Sequence, residues 1–159
     1  MGVLYFVFPV DDKARAALPD LGVDDAPPED GRNPTPTEIR AVLGALQGFR
    51  CTYTEEPVIG SMWQATVEDA HDPERGAWTL INVSKYPGET QQAELWFEKG
   101  WPDLMLQIMV GLAGICGPLF IFPDTGGAAL VVRRGDDPAA LYESWQHTNP
   151  DQGINDDSE

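Results

Sequence analysis

The chain has 159 residues, of which 26 are acidic and 10 are basic, so its formal net charge is −16 at pH 7. This charge argues against binding to nucleic acids or anionic lipids, because both need a basic surface on the protein. Hydrophobic residues make up 42% of the chain. That content excludes a disordered acidic protein of low hydrophobicity and predicts one domain with a single core.

The first elements have clear signals. Residues 3–8, VLYFVF, form an apolar run that predicts a central strand covered on both faces, or one in a well-buried sheet. Residues 11–36 are rich in Asp and Pro and predict a long surface loop, with a short helical turn at 12–18. Residues 35–38, T-P-T-E, match a capping box, so we expect a helix that ends near Gly48.

The middle of the chain alternates between polar and apolar residues. This pattern covers residues 49–54, 58–68, 77–85 and 92–98, and it predicts an antiparallel meander with one polar face. Breaks are expected at Pro57 to Gly60 and at Pro87-Gly88. A second, largely uncharged helix is expected at roughly residues 102–116.

Three shorter features follow. Apolar runs at 119–122 and 129–132 flank a Gly-rich turn and predict a final hairpin. A short helix is expected from Asp137 to about His147. Residues 149–159 are expected to be a disordered acidic tail, which leaves 1–148 as a single α+β domain.

Together these elements predict an α+β fold. We expect a two-layer sandwich with a mainly antiparallel sheet of about five to six strands, two main helices on one face and a short C-terminal helix. The only two cysteines, Cys51 and Cys116, form no disulfide framework and are expected to be buried, inert thiols. This cysteine usage, and an N-terminal run with no basic region, predict a cytoplasmic protein.

One acidic loop could bind a cation. Glu68, Asp69, His71 and Asp72 lie close together in the sequence, where carboxylates could bind a hard cation and the imidazole could act as a base. Their spacing matches no defined metal motif, which favours a solvated hairpin loop. We therefore predict no metal, no cofactor and no catalytic set.

A second candidate is Asp124, within the tripeptide D-T-G at 124–126. D-T-G is the local signature of aspartic proteases, whose chemistry needs two carboxylates that share one proton. The chain has one copy, so a dimer would have to supply the second carboxylate. The alternative is a hairpin turn, for which Asp and Gly are common residues.

The aromatic residues indicate a binding surface. Trp96 alternates onto the polar face of its strand with Glu94 and Glu98, and Trp101 follows in a loop. An exposed Trp among carboxylates is a suitable anchor for a basic protein partner. Alternatively, Trp96 is covered by the long loop or by the third helix, which carries Trp145.

These observations favour a non-enzymatic acidic binding protein that engages a basic protein partner. Bacterial immunity proteins, which neutralise basic toxins, share this size, charge and architecture, but the analogy rests on no shared motif. One alternative is a small enzyme with a carboxylate-based site in the cleft between the 11–36 loop and the sheet. Another is a structural homo-oligomer, for example a homodimer, that associates through the apolar helix at 102–116.

Overall fold

A seven-stranded antiparallel sheet forms the centre of the protein. The computed structural model describes residues 4–55, 61–84 and 90–148. The strands are β1 (Leu4–Pro9), β2 (Phe49–Glu55), β3 (Ser61–Asp69), β4 (Trp78–Ser84), β5 (Leu95–Gly100), β6 (Leu119–Pro123) and β7 (Leu130–Val132). Their order across the sheet is β2-β3-β4-β5-β1-β6-β7, so β1 lies between two strands that are distant in sequence.

The described residues include four α-helices, which flank the sheet. They are α1 (Asp12–Ala17), which continues into a short 3-10 helix (Leu18–Leu21), α2 (Pro36–Gly44), α3 (Pro102–Cys116) and α4 (Pro138–Thr148). The predicted α+β class with an antiparallel sheet is confirmed, but the expected count of five to six strands was too low. The alternating region at 49–68 contains two separate strands, β2 and β3, that pair with each other from Phe49–Asp69 to Glu55–Trp63.

The start of α2 follows the predicted capping box. The amide of Glu38 donates to Thr35 Oγ1 at 3.1 Å, and the amide of Thr35 donates to Glu38 Oε1 at 3.0 Å. Arg32 adds two bonds to the same carboxylate, Nη1 to Oε1 at 2.9 Å and Nη2 to Oε2 at 2.8 Å. The Arg32 bonds hold the pKa of Glu38 at about 2. The helix ends at Gly44, one turn earlier than the predicted Gly48.

Three helices pack on one face of the sheet, which we call the helix side. The inward side chains of the strands and of α2, α3 and α4 form one continuous cluster there. Tyr5 on β1 and Trp145 on α4 meet edge-to-face with ring centroids 5.8 Å apart, which places α4 on this side. Most of α3 is buried, as expected for a helix that carries Asp103 as its one charged residue.

The segment that contains α1 covers part of the opposite face. Val10, Ala14 and Leu18 pack there against Phe120 and Ala129 in a second cluster. This segment therefore covers only the end of the sheet formed by β1, β6 and β7. The prediction that β1 is covered on both faces is correct only at its C-terminal end, near Phe8.

One side chain links the beginning of the Asp- and Pro-rich segment to its later part. Arg15 on α1 donates to the carbonyls of Pro27 and Glu29, both at 3.2 Å, and to the carboxylates of Asp12 and Asp30. Much of the predicted surface loop therefore follows a defined path, and its expected helical turn at 12–18 is α1. Two acidic groups of this segment, Asp12 and Asp30, therefore form ion pairs within the segment itself.

Some predictions lie outside the described residues. These are the break near Pro57 and Gly60, the turn at Pro87-Gly88 and the tail at 149–159. Among the helices that the described ranges contain, none is long and apolar enough to cross a membrane.

Candidate functional site: the open face of the sheet

Over β2 to β5 and the start of β1, none of the helices within the described residues packs on the face opposite the helix side. Antiparallel register aligns its outward side chains in rows that cross the strands. One row runs from Gln64 through Asn82 and Trp96 to Phe6, and the next runs from Thr66 through Leu80 and Glu98 to Leu4. We call this surface the open face.

An apolar patch lies on the open face. It comprises five half-buried side chains that belong to neither core cluster: Leu4, Phe6, Trp78, Leu80 and Trp96. Phe6 lies directly across from Trp96 in the β1–β5 register, and its ring is 5.8 Å from that of Phe122 on β6. These side chains keep part of their surface accessible, and an accessible apolar patch can mark an interaction surface.

A polar network crosses the same face beside the patch. Asn82 is 1% exposed, and its Nδ2 donates to Glu98 Oε1 at 2.9 Å. Gln64 Nε2 donates to the same oxygen at 3.3 Å and to Asn82 Oδ1 at 3.2 Å. Two amide side chains from neighbouring strands therefore hold the carboxylate of Glu98 in one orientation.

The described charged side chains of the open face are mainly acidic. Glu98 lies within it, and Glu94 is exposed just before β5, between the inward-facing Ala93 and Leu95. The guanidinium of Arg50 is already used, because its Nε and Nη2 donate to Glu68 Oε2 at 3.1 and 2.6 Å. Glu94 and Glu98 therefore give the surface around the apolar patch a negative character.

Trp101 is not part of this surface. It packs against the helix-side cluster, and its amide donates to the carbonyl of Trp78 at 2.9 Å. Gly100 interrupts the strand alternation at φ +111°, where an added Cβ would lie 2.6 Å from Thr79 Cα. The structure therefore does not bring Trp101 together with Trp96, because the chain turns to the other face at Gly100.

The two elements that we expected to cover Trp96, the long loop and the third helix, lie elsewhere. Trp145 contacts Tyr5 on the helix side, so α4 does not cover Trp96. The α1 segment packs near Phe8 and Phe120, at the other end of the sheet. Trp96 is half-buried on the open face, as its strand alternation predicts.

The acidic hairpin loop uses its carboxylates locally. Asp69 Oδ1 accepts the amides of His71 at 2.8 Å and Asp72 at 3.2 Å, which stabilises the turn between β3 and β4. Glu68 pairs with Arg50. Within the described residues, no group of three or more His, Cys, Asp or Glu side chains is placed to hold a metal ion.

Asp124 lies far from that loop. It is exposed after β6, its Oδ1 accepts the amide of Leu4 at 3.2 Å, and Gly126 follows at φ +93°. Three strands, β1, β5 and β4, separate β6 from β3. This geometry matches the predicted hairpin turn, and it does not bring Asp124 together with Asp69 or His71.

A polar cleft of about 370 Å³ lies between the segment after α1 and strand β7. Asp24, Asp25, Arg133 and Ser144 supply its polar lining. The carboxylates of Glu94, Glu98 and Asp124 do not line it.

An apolar groove of about 400 Å³ lies on the helix side, between α2 and α3. Its walls include Val42, Leu46 and Gly111, and Ile115 at its edge is 41% exposed. An exposed side chain of this kind is compatible with self-association, but the groove contains no charged group that would select a partner.

Both thiols have the properties of inert cysteines. Cys116 is 6% exposed, and burial raises its pKa to about 11. Burial also raises the pKa of Cys51, which is half-buried at the edge of the helix-side cluster. At neutral pH both side chains are therefore protonated, whereas a nucleophilic cysteine needs to be a thiolate.

The chain matches no protein-family model, no curated protein and no solved structure. The candidate site is therefore inferred from its geometry alone. Sequence reasoning placed Glu94, Trp96 and Glu98 on this face but missed Phe6 and Asn82. Phe6 lies in an unbroken apolar run, so no alternation marks the side to which it points.

Proposed function

We propose that this chain is a non-enzymatic, inhibitor-type binding protein whose open face engages a basic protein. The observation that carries the proposal is the apolar patch bordered by Glu94 and Glu98. A half-buried Trp with a neighbouring Phe supplies the kind of anchor that dominates binding energy at protein interfaces. The carboxylates around it select a partner of positive charge.

The whole chain supports this choice of partner. Its net charge of −16 creates a long-range field that attracts cations and repels acidic proteins. The guanidinium of Arg50 is neutralised by Glu68 on the same face. A basic partner therefore meets Glu94 and Glu98, which form no ion pair with any cation of the described residues, next to an apolar surface that it can desolvate.

The test is capture at low salt, followed by reconstitution. The immobilised chain is incubated with lysate from its native source, and captured proteins are identified, purified and titrated against matched variants. Glu94→Lys changes the open face, whereas Glu143→Lys makes the same charge change on an exposed position of α4. We expect Glu94→Lys to weaken binding about tenfold and Glu143→Lys to weaken it much less.

Two results would refute the proposal. One is the recovery of no basic protein that binds again after purification. The other is an equal loss of affinity in the two variants, which would assign the interaction to net charge rather than to the open face. A true complex should also dissociate as salt rises, because its charges then become screened.

A further inference from the structure

Glu98 is held in place in an unusual way for a residue on the surface of a sheet. Both amide donors, Asn82 Nδ2 at 2.9 Å and Gln64 Nε2 at 3.3 Å, bind the same oxygen, Oε1. The second oxygen, Oε2, accepts no hydrogen bond from the described part of the chain. The carboxylate is therefore oriented by one oxygen, and the other is left for an external donor.

The surroundings of Glu98 strengthen any ion pair that forms there. Its register partners on the flanking strands are Leu80 and Leu4, and both are half-buried. Trp96 lies two residues earlier on the same face, about 7 Å away along the strand. Apolar neighbours reduce the contact of the carboxylate with water, and a charge pair in such an environment is stronger than one in bulk solvent.

The geometry points to a binding site for one arginine side chain of the partner, with the guanidinium paired to Glu98 and stacked on Trp96. This inference rests on the proposed function, because it identifies the group that the basic partner presents to the open face. A planar guanidinium can donate to Oε2 while its face lies against the indole ring. A lysine ammonium is a compact, strongly hydrated point charge and lacks that stacking surface.

The protein already contains such an arrangement on its helix side. The guanidinium carbon of Arg40 lies 4.7 Å from the ring centroid of Tyr53 and 4.6 Å from that of Trp63. Its Nη2 is also 3.8 Å from Glu55 Oε2. An arginine between aromatic rings and a carboxylate is therefore compatible with this sheet. On the open face, the described residues offer an indole ring and a carboxylate with no cation paired to them.

The test compares oligo-arginine and oligo-lysine peptides of equal length and charge by titration calorimetry at low salt. We expect the wild-type chain to bind oligo-arginine about tenfold more tightly than oligo-lysine. Glu98→Gln should abolish this preference, whereas Glu94→Gln, which removes the same charge nearby, should preserve it. Gln retains an acceptor oxygen for Asn82, so the network and the fold should persist.

A second variant tests the arginine site without changing the hydrogen bonds among Gln64, Asn82 and Glu98. Trp96→Leu retains an apolar side chain but removes the aromatic face, and it should reduce the preference for arginine. Equal binding of the two peptides by the wild-type chain would overturn the arginine site and leave the proposed function standing. Failure of both peptides to bind at low salt would overturn the proposed function as well.

Discussion

The ion pair between Arg32 and Glu38 should make the stability of this protein depend on acidic pH. Replacement of Glu38 by Gln removes the charge but keeps an oxygen that can accept the amide of Thr35, because Gln also completes a capping box. The substitution therefore isolates the contribution of Arg32, whose two bonds to the carboxylate are 2.8 and 2.9 Å long.

The expected magnitude follows from the pKa of Glu38. A fall from 4.5 to about 2 corresponds to about 3.4 kcal/mol at about 1.36 kcal/mol per pKa unit. The side chains of Arg32 and Glu38 are 38% and 28% exposed, so solvent screening reduces this value. We expect Glu38→Gln to lower the free energy of unfolding by about 1.5–2 kcal/mol at pH 7.

The lowered pKa of Glu38 also determines the direction in which stability changes with pH. A carboxyl group whose folded-state pKa is lowered stabilises the protein above its unfolded-state pKa and loses this contribution as the pH falls. The difference between wild type and Glu38→Gln should therefore be complete above pH 4.5 and shrink as the pH approaches 2. Urea unfolding followed by tryptophan fluorescence measures it, with Glu143→Gln as the exposed control. An equal difference at pH 7 and pH 2.5 would refute the reasoning.

Two further predictions concern packing and thiol chemistry. Gly114→Ala should stabilise the protein by about 0.5–1 kcal/mol, because its added Cβ meets no atom within 4 Å and Ala favours a helix. Gly111→Ala should instead be destabilising, since its Cβ would lie 2.8 Å from Val42 Cγ1; thermal melts of the two variants test this, and equal melting temperatures would contradict it. Cys51 and Cys116 should react with a disulfide reagent at pH 7.5 far more slowly than free cysteine and become fully reactive in urea. Fast reaction of the native protein would contradict the burial that raises both pKa values.

Local signals in the sequence predicted most of the secondary structure. The T-P-T-E motif at 35–38 matches the start of α2, and the apolar helix expected at roughly 102–116 is α3. These features depend on neighbours a few residues apart, which a sequence displays directly. The position of β1 depends instead on Val7 pairing with Leu95 and Ile121, and no local pattern encodes a contact of that range.

The candidate site shows the same division. Strand alternation placed Trp96 and Glu98 on one face, because a strand reverses side at every residue. Trp101 lies on the other face, because Gly100 interrupts that alternation at positive φ. Asn82 carried no signal in the sequence, because its role arises only when β3 and β5 place Gln64 and Glu98 beside it.

The position of β1 also has a consequence for folding during synthesis on the ribosome. This strand is synthesised before either of its neighbours, β5 and β6. The meander from β2 to β5 can pair as it emerges, but Phe6 and Phe8 must wait for it before they find a partner strand. Pairing over such distances is slow, and an apolar strand that waits for it is prone to aggregate. Yields of this protein should therefore depend on chaperones that shield its first strand during translation.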